Sequence, residues 1–314
     1  MLTFSSNFFF FHVLIYTSTS VCFTTKMAEV MKVLINQELN SDNKLLKPDM
    51  TQKSSRELYV VYLQAKFRQL FEHDIKSVSP IIKAVKHDFV QRFSHRLINN
   101  PNKKILIGIS GASASGKSTI CKTIHEISNK LQLPISIIST DNYFKDISKL
   151  IKKYGNFDNL RDNGYDIDSP EGFQLDILKK DLEDISMGND ILTPKYLPNG
   201  TGISVPKSIP VQTNKFIIVE GTAALYIKDL FDINIFIETN EEKRKERFLS
   251  RAVSERNQDL ENALKHWDYI IKAGEKYISP SMHSIDIVLD GDSDLEYFTQ
   301  ILKYIHTITN NFKN

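Results

Sequence analysis

The stretch that most constrains this chain opens with Ile105-Leu106-Ile107-Gly108-Ile109. After Ser110 comes Gly111-Ala112-Ser113-Ala114-Ser115-Gly116-Lys117-Ser118-Thr119, and then a helix-like segment. A short apolar run bounded by glycine reads as a buried strand. The pattern G-x-x-x-x-G-K-[ST] between a strand and a helix is a phosphate-binding loop. Its glycines let the backbone wrap a phosphate with the N–H groups turned inward. The helix that starts near Gly116 adds its positive end. Lys117 would reach the β- and γ-phosphates of a bound nucleotide, and Ser118 would offer its hydroxyl to Mg²⁺. A Ser/Gly-rich turn before an ordinary helix would not need this phasing. The expectation is therefore a nucleotide-binding chain that uses Mg²⁺, with Gly111 to Thr119 as the cradle.

Bulk properties narrow the classes further. A 314-residue chain that is 41% hydrophobic can bury one sizeable α/β core and carry an accessory segment. The net charge is +2 and no basic stripe is present, so no nucleic-acid partner is expected. The two cysteines, Cys22 and Cys121, show neither metal-ligand spacing nor a disulfide framework. That usage fits the reducing, ATP-containing cytoplasm.

Residues 1–26 include four consecutive phenylalanines, Phe8 to Phe11, in an apolar run reaching Tyr16. The run is too short for a membrane span of about 20 residues. It has the length of a signal core but lacks a preceding Lys or Arg. Residues 1–26 read as a disordered, over-extended start, with Met27 opening a normal one; a targeting segment is the other reading. No stable membrane contact is expected. Residues 27–102 read as a helical extension. Leu58, Val61, Leu63, Phe67, Leu70 and Phe71 make one helical face. Val78, Ile81, Ile82, Val85, Phe89, Phe93 and Leu97 make another over 77–98. These helices would pack on the sheet or against a second subunit in a homo-oligomer.

From Lys103 the pattern changes. A helix over 119–133 and a strand over 134–139 come after the phosphate loop, giving the βαβ signature of a parallel sheet. Asp141 then falls just past the carboxyl end of a strand, the edge where such sheets place their chemistry. Residues 145–170 form a polar connection long enough to be functional. A helix over 171–187 carries Phe173, Leu175, Leu178, Leu182 and Ile185. Four prolines and Asn199-Gly200 in 191–212 predict a protruding hairpin. The strand Lys215–Val219 leads into Glu220, an acidic strand end that suits a metal-nucleotide site. A further strand lies within 230–237. The charged helix 241–255 aligns Arg244, Arg247 and Arg251 on one face, with Arg256 beyond. A solvated surface helix would look similar, but a cationic lid is the reading preferred. A helix over 259–278 holds Trp267, expected to pack rather than bind. A last strand, 285–289, and a closing helix, 294–308, complete the chain.

The blocks GISGASASGKST, STDNYFKD, DIDSPEGFQLDIL, ILTPKY, VEGTAALY and SERNQDLE occur in this order. Together they resemble the uridine kinase and phosphoribulokinase family of P-loop kinases, from about Ile105 to Gly291. The resemblance implies an α/β, three-layer P-loop NTPase sandwich over 103–314, with a parallel central sheet, a lid helix and a protruding hairpin, preceded by the N-terminal helices. It implies ATP-dependent phosphoryl transfer to the 5′-hydroxyl of uridine or cytidine. It makes Asp141 the general base, assisted by Lys117 and Arg251. Ser118 and Glu220 become the metal-associated pair. Asp168 would grip the ribose; Asn156-Phe157-Asp158 is a second local look-alike. Phe144, Tyr196, Arg247, Arg251 and Arg256 join Asp141 and Asp168 around the acceptor.

Departures cluster where the base would be read. Pro198 stands where the family hairpin has a stacking aromatic, and Thr201 where it has a histidine. Phe144 replaces a tyrosine, with Tyr143 beside it as a substitute only if the local register differs. Gln258 replaces an arginine. Pantothenate, a sugar phosphate or another riboside therefore stay open as acceptors. A partner-regulated NTPase and a non-catalytic scaffold are the rival classes.

Overall fold

The computed structural model describes residues 82–85, 103–130, 135–255 and 258–291, all within the unit Leu63–Asn314. The sheet is built around strand β2 (Ile105–Gly111), whose seven residues are all buried. A strand covered on both faces reads as an unbroken apolar run, which is why no alternation is visible there. Helix α1 (Lys117–Lys130) comes next and leads to β3 (Ile135–Ser139). Strand β6 (Phe216–Glu220), also wholly buried, slots between β2 and β3 and runs parallel to both. On the other side of β2 lie β7 (Ile233–Glu238) and β8 (Ile287–Asp290), again parallel. Five parallel strands thus bring their carboxyl ends to one edge, and the chain switches sides across β2. Ligand sites in open α/β sheets form at such a point.

The outer edge differs from expectation. Ile82–Val85 form a strand, β1, paired antiparallel with β8 through Ile82↔Leu289, Ala84↔Val288 and Val85↔Ile287. The three-and-four spacing over 77–98 predicts helix there. The open ladder of β8 offers a competing set of backbone partners, and Ile82 and Val85 suit a strand as well as a helix. The other residues of the expected N-terminal helices, residues 1–26 and the closing helix 294–308 lie outside the described residues.

The polar connection folds into two short helices, α2 (Ser148–Tyr154) and α3 (Phe157–Asp162). The Asn156 side chain caps α3 by accepting from the Asn159 N–H. Helix α4 (Leu175–Ser186) buries Leu178, Leu182 and Ile185 against one sheet face with Leu106, Ile217 and Val219. The hairpin is β4 (Ile191–Tyr196) and β5 (Ser204–Val211), with an irregularity between Thr193 and Lys195. Pro194, which has no N–H to donate, sits at that break. Helix α5 (Glu241–Ser254) packs Phe248 and Ala252 on α6 (Leu260–Ala273), where Trp267 and Ile270 meet them.

Candidate active site

The phosphate loop leaves β2 and turns through Ala114 at φ 61° and Gly116 at φ 98°. Positive φ at alanine costs about 1–2 kcal/mol. It is held by packing, since Ala114 is buried in the Phe248–Trp267 cluster. Outer carbonyls of the loop are tied back. Thr239 Oγ1 donates to Ser115 O at 2.8 Å, and Arg244 Nη1 to Ser113 O at 3.4 Å. Lys117 Nζ donates to Gly111 O at 3.0 Å and Ala112 O at 2.9 Å. Burial lowers the Lys117 pKa, while the nearby Asp141 and Glu220 carboxylates oppose that shift.

At the carboxyl ends of the strands, Ser118 Oγ lies 3.3 Å from Glu220 Oε2. Glu220 is buried and stands opposite Ser139 across the β3–β6 ladder. Burial raises its pKa, and Asp141 adds to this; hydrogen bonds from Ser139 and Ser118 and the charge of Lys117 work the other way. Among the described residues no group of three or more His, Cys, Asp or Glu could hold a metal alone. A hydroxyl and one carboxylate fit Mg²⁺, which usually takes one or two carboxylates and completes its shell with phosphate and water. Asp141 comes after β3 in a 3₁₀ turn, Thr140–Tyr143, and is exposed. Gly221, at φ 130°, allows this turn to close on β6, because a Cβ there would sit 2.0 Å from Thr140 Oγ1.

One cavity of about 1650 Å³ joins these groups to a second half. Drug-sized ligand sites run to about 300–1,000 Å³, so this one accommodates two small molecules. Asp141, Lys117, Ser118, Glu220, Phe144, Asp168, Tyr196, Arg247 and Arg251 all line it, as does the Ser113–Thr119 part of the loop. The Phe144 ring stacks on Phe173 at 4.3 Å and meets Tyr196 at 5.3 Å. Asp168 has its pKa pushed up to about 6, chiefly by burial, with Arg161 opposing and Asp166 and Asp141 adding. Tyr226 donates to Asp168 O at 2.5 Å. The Tyr196 hydroxyl is buried and has no hydrogen-bond partner among the described residues.

Several expectations need correction or extension. Tyr143 does not substitute for the missing hydroxyl at Phe144: it is fully buried, and its hydroxyl donates to Asp181 at 2.7 Å. Pro198, Asn199 and Gly200 line the cavity, but Thr201 does not; its Oγ1 donates to Asn199 Oδ1 at 2.5 Å. Arg244 is not among the residues lining the cavity. Its guanidinium lies 5.4 Å over Trp267, so it fastens α5 while Arg247 and Arg251 reach the cavity. Trp267 packs in the core, as expected. Arg256 lies outside the described residues. Both look-alike segments, Asn156-Phe157-Asp158 and Asp168, line the cavity.

Arg161 and His266 line it too, and neither stands out in the sequence. They meet at 2.9 Å, Arg161 Nη2 to His266 Nε2, although separated by 105 positions. The only local signal is the arginine one turn after the look-alike aspartate.

The model of the Phosphoribulokinase / Uridine kinase family matches residues 106–295. Uridine-cytidine kinase A of Dictyostelium discoideum is 32% identical over 199 residues, 62% of this chain and 38% of that protein. Uridine-cytidine kinase 2-B of Danio rerio is 29% identical over 220 residues, 65% of this chain and 80% of that protein. The chain therefore spans well under half of the first relative's length and most of the second's. The solved phosphoribulokinase from Rhodobacter spheroides superposes with a TM-score of 0.44 at 15% identity, covering 60% of this chain and 70% of that one. With the family model covering residues 106–295 of its 314, the chain belongs to the phosphoribulokinase and uridine kinase family.

Proposed function

We propose that this protein transfers the γ-phosphoryl group of ATP to the 5′-hydroxyl of a pyrimidine nucleoside, giving the nucleoside monophosphate and ADP. Residues 103–314 form the transferring domain, the partner is a small-molecule acceptor, and the setting is cytoplasmic. The observation that carries this reading is one cavity holding a phosphate cradle at one end and, beside it, the exposed Asp141 carboxyl next to an aromatic-lined recess. An NTPase that only hydrolyses needs no such recess.

The chain's own residues divide the work. The backbone of Gly111 to Thr119 cradles the phosphates, and Lys117 exchanges its loop carbonyls for phosphate oxygens. Arg247 and Arg251 bring positive charge from α5 to the transferring group. Ser118 and Glu220 would hold Mg²⁺, which would supply neutralising positive charge at the phosphates. Asp141 accepts the proton of the acceptor hydroxyl as that oxygen attacks. Asp168 accepts hydrogen bonds from the sugar hydroxyls, and Tyr196 and Phe144 bound the ring behind them. The α5 lid and the hairpin keep water from acting as the acceptor.

The altered hairpin tip, with Pro198 in the cavity and Thr201 outside it, favours a second reading in which another small-molecule hydroxyl is the acceptor. ADP release with Mg-ATP, measured against uridine, cytidine, other nucleosides, pantothenate and phosphorylated pentoses, separates the two. Stimulation by a pyrimidine nucleoside far above the no-acceptor rate is expected. Stimulation by another acceptor alone transfers the mechanism to that acceptor. No stimulation by any acceptor contradicts the kinase reading.

A further inference from the structure

We infer that Arg161 is a specificity-determining residue that reads the carbonyl edge of a uracil-like ring at the acceptor's remote end; this rests on the nucleoside kinase reading. The Arg161 side chain is only 10% exposed, yet the residue lines the cavity. Helix α3 carries it and α6 steadies it. Nη2 meets His266 Nε2 at 2.9 Å, Nη1 lies 3.6 Å from Asp158 Oδ1, and the guanidinium covers the Tyr269 ring at 5.4 Å. A guanidinium has five N–H donors and no acceptor, so these contacts leave donors over. A ligand oxygen entering the cavity can accept from them. Arg161 is the electrostatic neighbour of both Asp168 and Tyr196. The Tyr196 hydroxyl, buried and without a partner among the described residues, adds a second ligand-seeking group to the same recess.

Charge decides what the partner is. Lys117 belongs to the phosphate loop and Lys243, Arg247 and Arg251 to α5. Among the described residues, Arg161 is the one other arginine or lysine lining the cavity. Asp158 lies 3.6 Å from Arg161 and Asp168 feels its charge, and both line the cavity. A phosphate or carboxylate at the acceptor's remote end would meet more negative than positive charge. Neutral carbonyl oxygens meet the donors without that cost. Because the guanidinium cannot accept, the amino group of cytosine finds no partner on it. Uridine is therefore the preferred acceptor over cytidine.

The test is steady-state kinetics of the full chain with uridine and with cytidine, for wild type, Arg161→Met and Arg161→Gln, alongside thermal unfolding. The glutamine keeps an N–H donor toward His266 and covers the case in which the methionine variant does not fold. Wild type is expected to favour uridine. Losing a hydrogen bond from a charged group corresponds to about 10–100-fold in uridine kcat/KM, carried mainly by KM. Cytidine and Mg-ATP should change by less than about 3-fold on the same scale, so the uridine preference collapses. Equal use of uridine and cytidine by wild type, or parallel loss of both in the variants with lower thermal stability, overturns the inference and leaves the kinase reading standing. Turnover of phosphorylated pentoses in place of nucleosides overturns both.

Discussion

At the scale of residues, Asp168 is the most informative group because its chemistry is visible without ligand. Burial raises its pKa to about 6, above the ordinary aspartate value, so the folded chain holds its proton more tightly than the unfolded chain. The stability given by that extra proton is fully present near pH 4 and is lost as pH rises through about 6. Asp168→Asn removes the carboxylate that is costly to bury. The variant should melt higher than wild type at pH 8 and nearly level with it at pH 4, read by thermal unfolding at both values. The same change should raise the nucleoside KM by about 10-fold or more, since hydrogen bonds to a charged acceptor are lost. In wild type the nucleoside KM should rise as pH falls below about 6, because protonated Asp168 accepts less well. Lys117, Ser118, Asp141 and Glu220 are legible in the sequence because each belongs to a strand end or a loop with fixed local spacing. Arg161 and His266 are not. Their pairing spans 105 positions and exists only after α3 docks on α6, which no local pattern encodes.

At the scale of elements, the turn that carries Asp141 depends on a glycine in another segment. A Cβ at Gly221 would lie 2.0 Å from Thr140 Oγ1 and 3.5 Å from Asp141 Oδ1, at a φ of 130°. Gly221→Ala should cost about 1–3 kcal/mol from the backbone conformation alone. It should also lower kcat by up to about 100-fold, the penalty for a displacement of about 1 Å at the reacting group. Adding Thr140→Ala should recover part of kcat, because it removes the nearest clashing atom. Unfolding curves and initial rates on the three variants check this. The lid offers a spectroscopic handle, since Trp267 is the chain's one tryptophan and lies under Arg244. Arg244→Ala should shift the tryptophan emission and weaken Mg-ATP binding, because the tie from α5 to Ser113 O is cut. Fluorescence and calorimetric titration report the two effects. Most elements can be read from period and punctuation. Two departures among the described residues are the polar connection, which folds into α2 and α3, and β1, where helical spacing loses to the pairing offered by β8.

At the scale of the molecule, β1 closes an otherwise open edge of the sheet. Exposed edges invite pairing with other chains. A chain starting at Lys103 loses β1 and should melt at lower temperature and self-associate as concentration rises, seen by light scattering. Its Mg-ATP affinity should be retained, since β1 lies three strands away from β2, which leads into the phosphate loop. The α/β class and parallel sheet are legible because the strand–loop–helix unit at β2 dictates them. The antiparallel edge is not, because it depends on a partner strand about 200 residues away.

The most direct measurement is a single-turnover reaction with γ-labelled ATP, Mg²⁺ and uridine, resolving labelled nucleotide from labelled inorganic phosphate, for wild type and Asp141→Asn. The account predicts label in the 5′-monophosphate for wild type. It predicts a rate about 10²–10⁴-fold lower for Asp141→Asn, the usual contribution of a general base, with ATP affinity little changed. Label appearing only as inorganic phosphate, or equal rates in the two proteins, would contradict it.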